Sequence, residues 1–243
     1  TSSNDGKLRN AVFVHDFESP LLHKLTWPKV SWAPGLFDLD NDTDLDLFFA
    51  NGHLNSVSGD NRQANLLFEN DGGGRFSDIS DKSGVLSTGK RIHRSAIFAD
   101  YDDDGRVDIF VTVNGQQVED GKGNNVFDPN QGKGILFHND TKNNNNWLKV
   151  RLEGTKSNRD GLGSKVKIKS GAFTDEKALV SGEGYFSSSA KEIYFGLGET
   201  TSIDKLTVLW PSGHDDIFEN IKANQTVYIV EGKQLYQDTL RSP

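Results

Sequence analysis

A chain of 243 residues with 34% hydrophobic and 26% charged residues has room for one large or two ordinary domains around a modest core. Its formal net charge of −8 excludes a basic face for nucleic acid, and no apolar run approaches the roughly 18 residues a membrane span needs. The absence of cysteine excludes disulfides, thiol catalysis and thiolate metal sites, and leaves oxygen ligands as the natural metal chemistry.

From residue 11 onward, short strand-like runs alternate with Gly, Asn and Asp turns, with no helical period of useful length. The first strands are expected at Ala11–Val14, Trp32–Phe37 and Leu45–Ala50. Between the last two lies Asp38-Leu-Asp40-Asn-Asp42-Thr-Asp44-Leu-Asp46. Ca²⁺ takes six to eight hard oxygen ligands, and acids at loop positions one, three, five and nine can wrap one ion. Asp38, Asp40, Asp42 and Asp46 hold those positions, while Asp44 at position seven would offer its backbone carbonyl.

Next come a strand over Leu66–Glu69, a glycine-rich hairpin turn at residues 72–74 and a further strand through Phe76 to Ile79. Strands at Ser95–Ala99 and Val107–Val113 then enclose a second loop, Asp100-Tyr-Asp102-Asp-Asp104-Gly-Arg106-Val-Asp108, sixty-two residues after the first. Asp100, Asp102, Asp104 and Asp108 fall on the ligand positions, with the carbonyl of Arg106 at position seven. Neither loop combines a glycine at position six with a Glu at position twelve and a following helix, so both join strands and are not helix-loop-helix hands. Ten of the 35 acids sit in these loops, leaving 25 acids against 26 bases elsewhere once Arg106 is counted with its loop. The acidity is local, as two Ca²⁺ sites require. A strand at Ile135–His138, followed by Asn139 and Asp140, begins the unit again.

The two Asp loops, the Leu66-Leu67-Phe68-Glu69-Asn70 strand and the Gly73-Gly74-Arg75-Phe76 turn resemble the FG-GAP/VCBS repeat, the blade unit of calcium-binding propellers that include the integrin α-subunit head. The resemblance implies partial β-propeller blades over residues 1–140, too few to close a ring, so that either the remaining blades lie in a missing N-terminal part or the open edges pack against a partner.

The polar stretch at residues 140–146 reads as a boundary. Strands are expected beyond it at Trp147–Leu152, Lys165–Lys169, Ala178–Val180, Glu192–Phe195, Leu206–Trp210 and Val227–Val230, suggesting a β-sandwich-like domain over residues 147–232 and a tail at 233–243. Asn158-Arg-Asp160-Gly161-Leu-Gly163, Ser181-Gly182-Glu-Gly184-Tyr185, Tyr194-Phe195-Gly196-Leu197-Gly198 and Trp210-Pro211-Ser212-Gly213 resemble the ASPIC/UnbV domain of the cartilage acidic protein family. The glycines are expected to make turns more than ligand loops, and Trp32, Trp147 and Tyr185 to pack in the core more than to form a sugar platform.

Ser187, Ser188 and Ser189 lack a nucleophile elbow, and the six histidines lack metal-site spacing, so the chain is expected not to be an enzyme. Sequons at Asn139, Asn224 and Asn41 are candidate glycan acceptors, with Asn41 the weakest because it lies inside the first metal loop. A start at Thr1 without Met suggests a processed product or a piece of something longer, and the ion points outside the cell. The reading is thus an extracellular calcium-stabilised adhesion module facing a protein or glycan. The alternatives are a self-assembling structural subunit and a secreted polysaccharide-active enzyme.

Overall fold

Short apolar runs punctuated by turn residues build an almost entirely β structure. The computed structural model describes residues 20–54, 61–115, 117–119, 122, 125–127 and 132–237. The strand expected over Ala11–Val14 lies outside them.

A helix α1, Pro20–Thr26, comes first and was not expected. Proline is pre-organised for a first helical turn and Pro28 prevents extension, so the helix is too short to show a period. The first sheet is a meander of β1 Ser31–Phe37, β2 Asp46–Asn51, β3 Leu66–Asn70 and β4 Phe76–Asp78 in that order. The second repeats it with β5 Ile92–Ala99 and β6 Asp108–Asn114. A ribbon of β7 Gln117–Glu119 with β8 Asn125–Phe127 follows, and β9 Ile135–Phe137 returns to pair with β6. The register shows the repeat directly, since Phe37 faces Asp46 across the first loop and Ala99 faces Asp108 across the second.

One apolar cluster joins the two sheets, with Phe37, Phe48, Leu67, Val107, Ile109 and Val111 buried in it. β1 and β5 approach so closely that a Cβ on Gly35 would lie 1.9 Å from the Phe98 ring.

The second half contains β10 Asn146–Glu153, β11 Lys165–Ser170, β12 Phe173–Ala178, β13 Ile193–Gly198, β14 Ser202–Leu209, β15 Asp215–Lys222, β16 Gln225–Val230 and β17 Leu235–Gln237. They form two four-stranded sheets, β13-β10-β16-β17 and β12-β11-β14-β15. Alternate residues such as Val150, Ile168, Phe195, Leu206, Val208 and Ile229 fill a core of their own. Among the described residues the chain is all-β, with partial blades and a sandwich, and none of the sheets closes into a ring.

Three sequence expectations are corrected. Leu179 and Val180 leave the sheet at Ala178, because the strand in this region runs earlier, through the charged residues Asp175, Glu176 and Lys177 on a half-exposed edge. β15 was missed because its apolar residues Ile217, Phe218 and Ile221 do not alternate, with Asn220 at φ 57 standing between Phe218 and Ile221. The tail expected from residue 233 instead supplies β17, which pairs with β16 from Leu235 to Gln237.

The free edge of β5 is covered by the chain's own second half. The Ser187 hydroxyl donates to the Ala96 carbonyl at 3.0 Å, the Phe98 N–H donates to Ser189 Oγ at 3.2 Å, and the Ala190 N–H donates to the Phe98 carbonyl at 3.3 Å. This masks part of the edge that would otherwise template pairing with another molecule.

Candidate metal centre

The two acidic loops have the same internal wiring. At position one, Asp38 accepts backbone N–H bonds from Asp42 (3.1 Å) and Thr43 (3.0 Å), and Asp100 accepts them from Asp104 (3.0 Å) and Gly105 (2.9 Å). At position five, Asp42 accepts from the Asp44 N–H at 3.0 Å and Asp104 from the Arg106 N–H at 2.9 Å. Position nine closes each loop. Asp46 accepts from Leu39 (2.8 Å) and Asn70 (2.9 Å), and Asp108 from Tyr101 (3.1 Å) and Asn139 (2.7 Å).

Backbone angles match as well, with Asn41 at φ 61 against Asp103 at 60, and Thr43 at φ 89 against Gly105 at 88. Gly105 therefore stands at position six of the second loop, where a left-handed residue is needed, while Thr43 takes the same strained conformation at a cost of about 1–2 kcal/mol.

This folding gathers carboxylates. Oxygens of Asp38, Asp40 and Asp42 lie within 4.8 Å of one another, as do those of Asp100, Asp102 and Asp108. Asp46 is buried beside the first group with its oxygens on backbone donors, and Asp44 Oδ1 is buried without a hydrogen-bond partner. That orphaned oxygen and the all-carboxylate donor set fit a hard cation.

Burial pushes Asp38 up to about 7, against the pull of Lys177 and the Thr43 N–H. Asp46 is also pushed to about 7 by burial, and Asp40 to about 6 by burial with repulsion from Asp42. In the second loop burial raises Asp100 despite Lys149, whereas at Asp103 Lys149 and Arg151 outweigh burial and lower it.

His138 belongs to this site and was missed. Its ring lies with Asp102 and Asp104 in a third cluster, with Nδ1 3.1 Å from Asp108 Oδ1. The repeat held the signal, because aligning Ile135-Leu-Phe-His138-Asn139 on Leu66-Leu-Phe-Glu69-Asn70 puts His138 opposite Glu69 and the two asparagine N–H donors in one role. Arg106 also contributes through its side chain. Its guanidinium pairs with Asp104 and donates to the Asn139 carbonyl at 3.1 Å, so its side chain takes part in the loop.

The second half of the chain sits directly on both loops. Gly198 N–H donates to the Asn41 carbonyl at 2.9 Å, Asn145 Nδ2 to the Asp40 carbonyl at 3.0 Å and Asp100 N–H to the Tyr194 hydroxyl at 3.2 Å. Asn41 Nδ2 donates to the Gly105 carbonyl at 3.2 Å, tying loop to loop. A Cβ on Gly105 would fall 1.9 Å from the Trp147 ring, and one on Gly196 1.8 Å from Asp38 Oδ2 and 2.7 Å from Asn41 Cα. Gly196→Ala is therefore expected to lower stability by about 1–3 kcal/mol through overpacking, measured by urea unfolding, with the loss relieved in part by Asp38→Gly.

Two sequons are corrected by the same contacts. Asn41 is buried with its amide on Gly105, and Asn139 is buried with its amide donating to the Leu39 and Val107 carbonyls at 2.7 and 3.2 Å. In the folded chain this leaves Asn224 as the candidate acceptor. Trp32 and Tyr185 meet at 4.9 Å with Arg94 over the indole, while Trp147 covers Gly105, so these rings form neither a single platform nor a shared core.

Comparison with known proteins matches two stretches of the chain to known families. Residues 38–111 match the FG-GAP-like repeat family, and residues 154–235 match the ASPIC and UnbV family. The chain is similar to cartilage acidic protein 1 of Homo sapiens, 28% identical over 249 aligned residues that cover 99% of this chain and 33% of that protein. It is also 28% identical to cartilage acidic protein 1 of Mus musculus over 216 residues, covering 87% of this chain and 29% of that protein. The chain thus spans about a third of the length of the curated relatives it matches.

Proposed function

We propose that this chain is an extracellular interaction module whose repeats are held together by Ca²⁺, the rest of its surface facing a protein or glycan of the cell surface or matrix. The carrying observation is the duplicated loop, which makes the same backbone bonds twice and gathers three carboxylates each time, Asp38, Asp40 and Asp42 in the first and Asp100, Asp102 and Asp108 in the second. In the first loop Asp38, Asp40, Asp42 and Asp46 would hold the ion, with Asp44 beside them. In the second Asp100, Asp102, Asp104 and Asp108 would do so, with His138 at the rim. Bound ion would supply positive charge to carboxylates that otherwise repel one another, so binding is linked to folding.

Similarity to proteins named for cartilage supports an extracellular place of work. The self-assembling alternative is weakened by the covering of the β5 edge from within the chain. We read the acids as ion ligands and not as a hydrolytic pair, because they cluster around their own backbone donors. Thermal melting tests this: excess Ca²⁺ is expected to raise the midpoint and EDTA to return it, and a midpoint indifferent to both would remove the calcium reading.

A further inference from the structure

The two loops share their acid count and wiring but differ in what neutralises them. Among the described residues, no ion pair reaches Asp38, Asp40, Asp42, Asp44 or Asp46. In the second loop, Lys149 Nζ lies 2.7 Å from Asp100 Oδ2 and also bonds Asp103, Arg151 reaches Asp103 at 2.8 Å, and Arg106 pairs with Asp104. With Glu192 counted beside Arg151, six acids against three bases leave a formal −3 there, compared with −5 in the first loop, where Lys177 pulls on Asp38 without forming an ion pair.

Lys149 is the telling residue, because its side chain is 0% exposed. It is delivered from the opposite half of the molecule by β10, between the core residues Leu148 and Val150, on the strand face it shares with Arg151. The neighbouring strand supplies Tyr194 opposite Lys149 and Glu192 at the Arg151 guanidinium, so the ammonium arrives in a fully bonded frame. A buried ammonium on the position-one acid removes charge from the ligand set, and Ca²⁺ affinity follows ligand charge and site rigidity.

We propose that Lys149 is the resident counter-ion of the second loop, making that loop a lock between the two halves of the chain and leaving the first loop as the tight divalent-cation site. The assignment rests on the calcium reading above. If it holds, the two halves stay docked through the second loop when Ca²⁺ is withdrawn, and the first loop alone responds to the ion.

Calorimetric titration with CaCl₂ on the parent chain, Asp38→Asn and Lys149→Met tests it, together with melting in Ca²⁺ and in EDTA. The parent is expected to bind one Ca²⁺ tightly and any second at least about tenfold more weakly. Asp38→Asn is expected to lose the tight site together with the whole Ca²⁺-dependent melting shift. Lys149→Met is expected to melt lower in EDTA and to gain a second tight site. Should Lys149→Met fail to fold, Asp38→Asn decides alone. Two sites of equal affinity in the parent, or an Asp38→Asn chain that keeps half the binding, would overturn the Lys149 assignment while sparing the calcium reading. No Ca²⁺ binding by the parent and by both variants would overturn both.

Discussion

A Glu231→Ala chain is expected to lose about 1–3 kcal/mol of unfolding free energy in urea, because the backbone donors its carboxylate satisfies are left unpaired. Glu231 is 4% exposed and its carboxylate accepts the N–H groups of Thr155, Lys156 and Ser157 at 2.7, 2.7 and 2.8 Å. It accepts the hydroxyls of Ser157, at 2.9 Å, and Ser212 besides. Without the acid three backbone donors are left in a partly buried turn, each costing about 1–3 kcal/mol unless water reaches it. Glu231→Gln is expected to do nearly as badly, since its NH₂ would face donors.

The sign with pH follows from the same contacts. Burial alone would raise this acid, but the Ser157 N–H and Ser212 hydroxyl, with the other turn donors, hold it well below its usual 4.5. Its contribution is therefore present above about pH 4.5 and is lost as the pH falls toward the depressed folded value. The parent is expected to weaken in that acid range by more than Glu231→Ala does, which matched urea titrations at falling pH would show.

Nothing near Glu231 in the sequence marks it, because its backbone donors lie 74 to 76 residues earlier. That distance separates what was legible from what was not. The Asp loops were legible because their ligands are local: nine residues contain the acids and most of the N–H groups that orient them. Strands with clean alternation, such as Lys165–Ser170, were legible for the same reason. His138 required the repeat to be aligned one strand further. Lys149 was hidden inside an apolar strand between Leu148 and Val150, where a lysine ordinarily faces water, and only docking of the two halves turns it onto Asp100. Gly196 gives no sign of the first loop either, although the loop leaves no space for a side chain there.

A second large effect is expected at the first loop, where acid and calcium should act in opposition. Free of ion, Asp38 and Asp46 at about 7 and Asp40 at about 6 lie above their unfolded value of 3.8, so the native chain takes up protons that the unfolded chain does not. Such groups favour the folded state fully below the unfolded value and lose that contribution as pH rises through about 6 to 7. In EDTA the chain is therefore expected to gain stability as pH is lowered from about 8 to about 5.

Calcium reverses this dependence, because it binds the ionised acids and competes with the same protons. At about a hundredfold excess over Kd it should add about 2.7 kcal/mol at the alkaline end, a shift of about 5–10 °C for a chain of this size. The melting curves with and without Ca²⁺ are then expected to converge as pH falls through the values of Asp38, Asp46 and Asp40. Asp38→Ala should collapse the separation at every pH, since it removes both the position-one ligand and the acceptor for the Asp42 and Thr43 N–H groups. A Ca²⁺ shift that stayed constant across this range would show that the ion is held elsewhere, because ligands titrating near neutrality cannot bind it equally well when protonated.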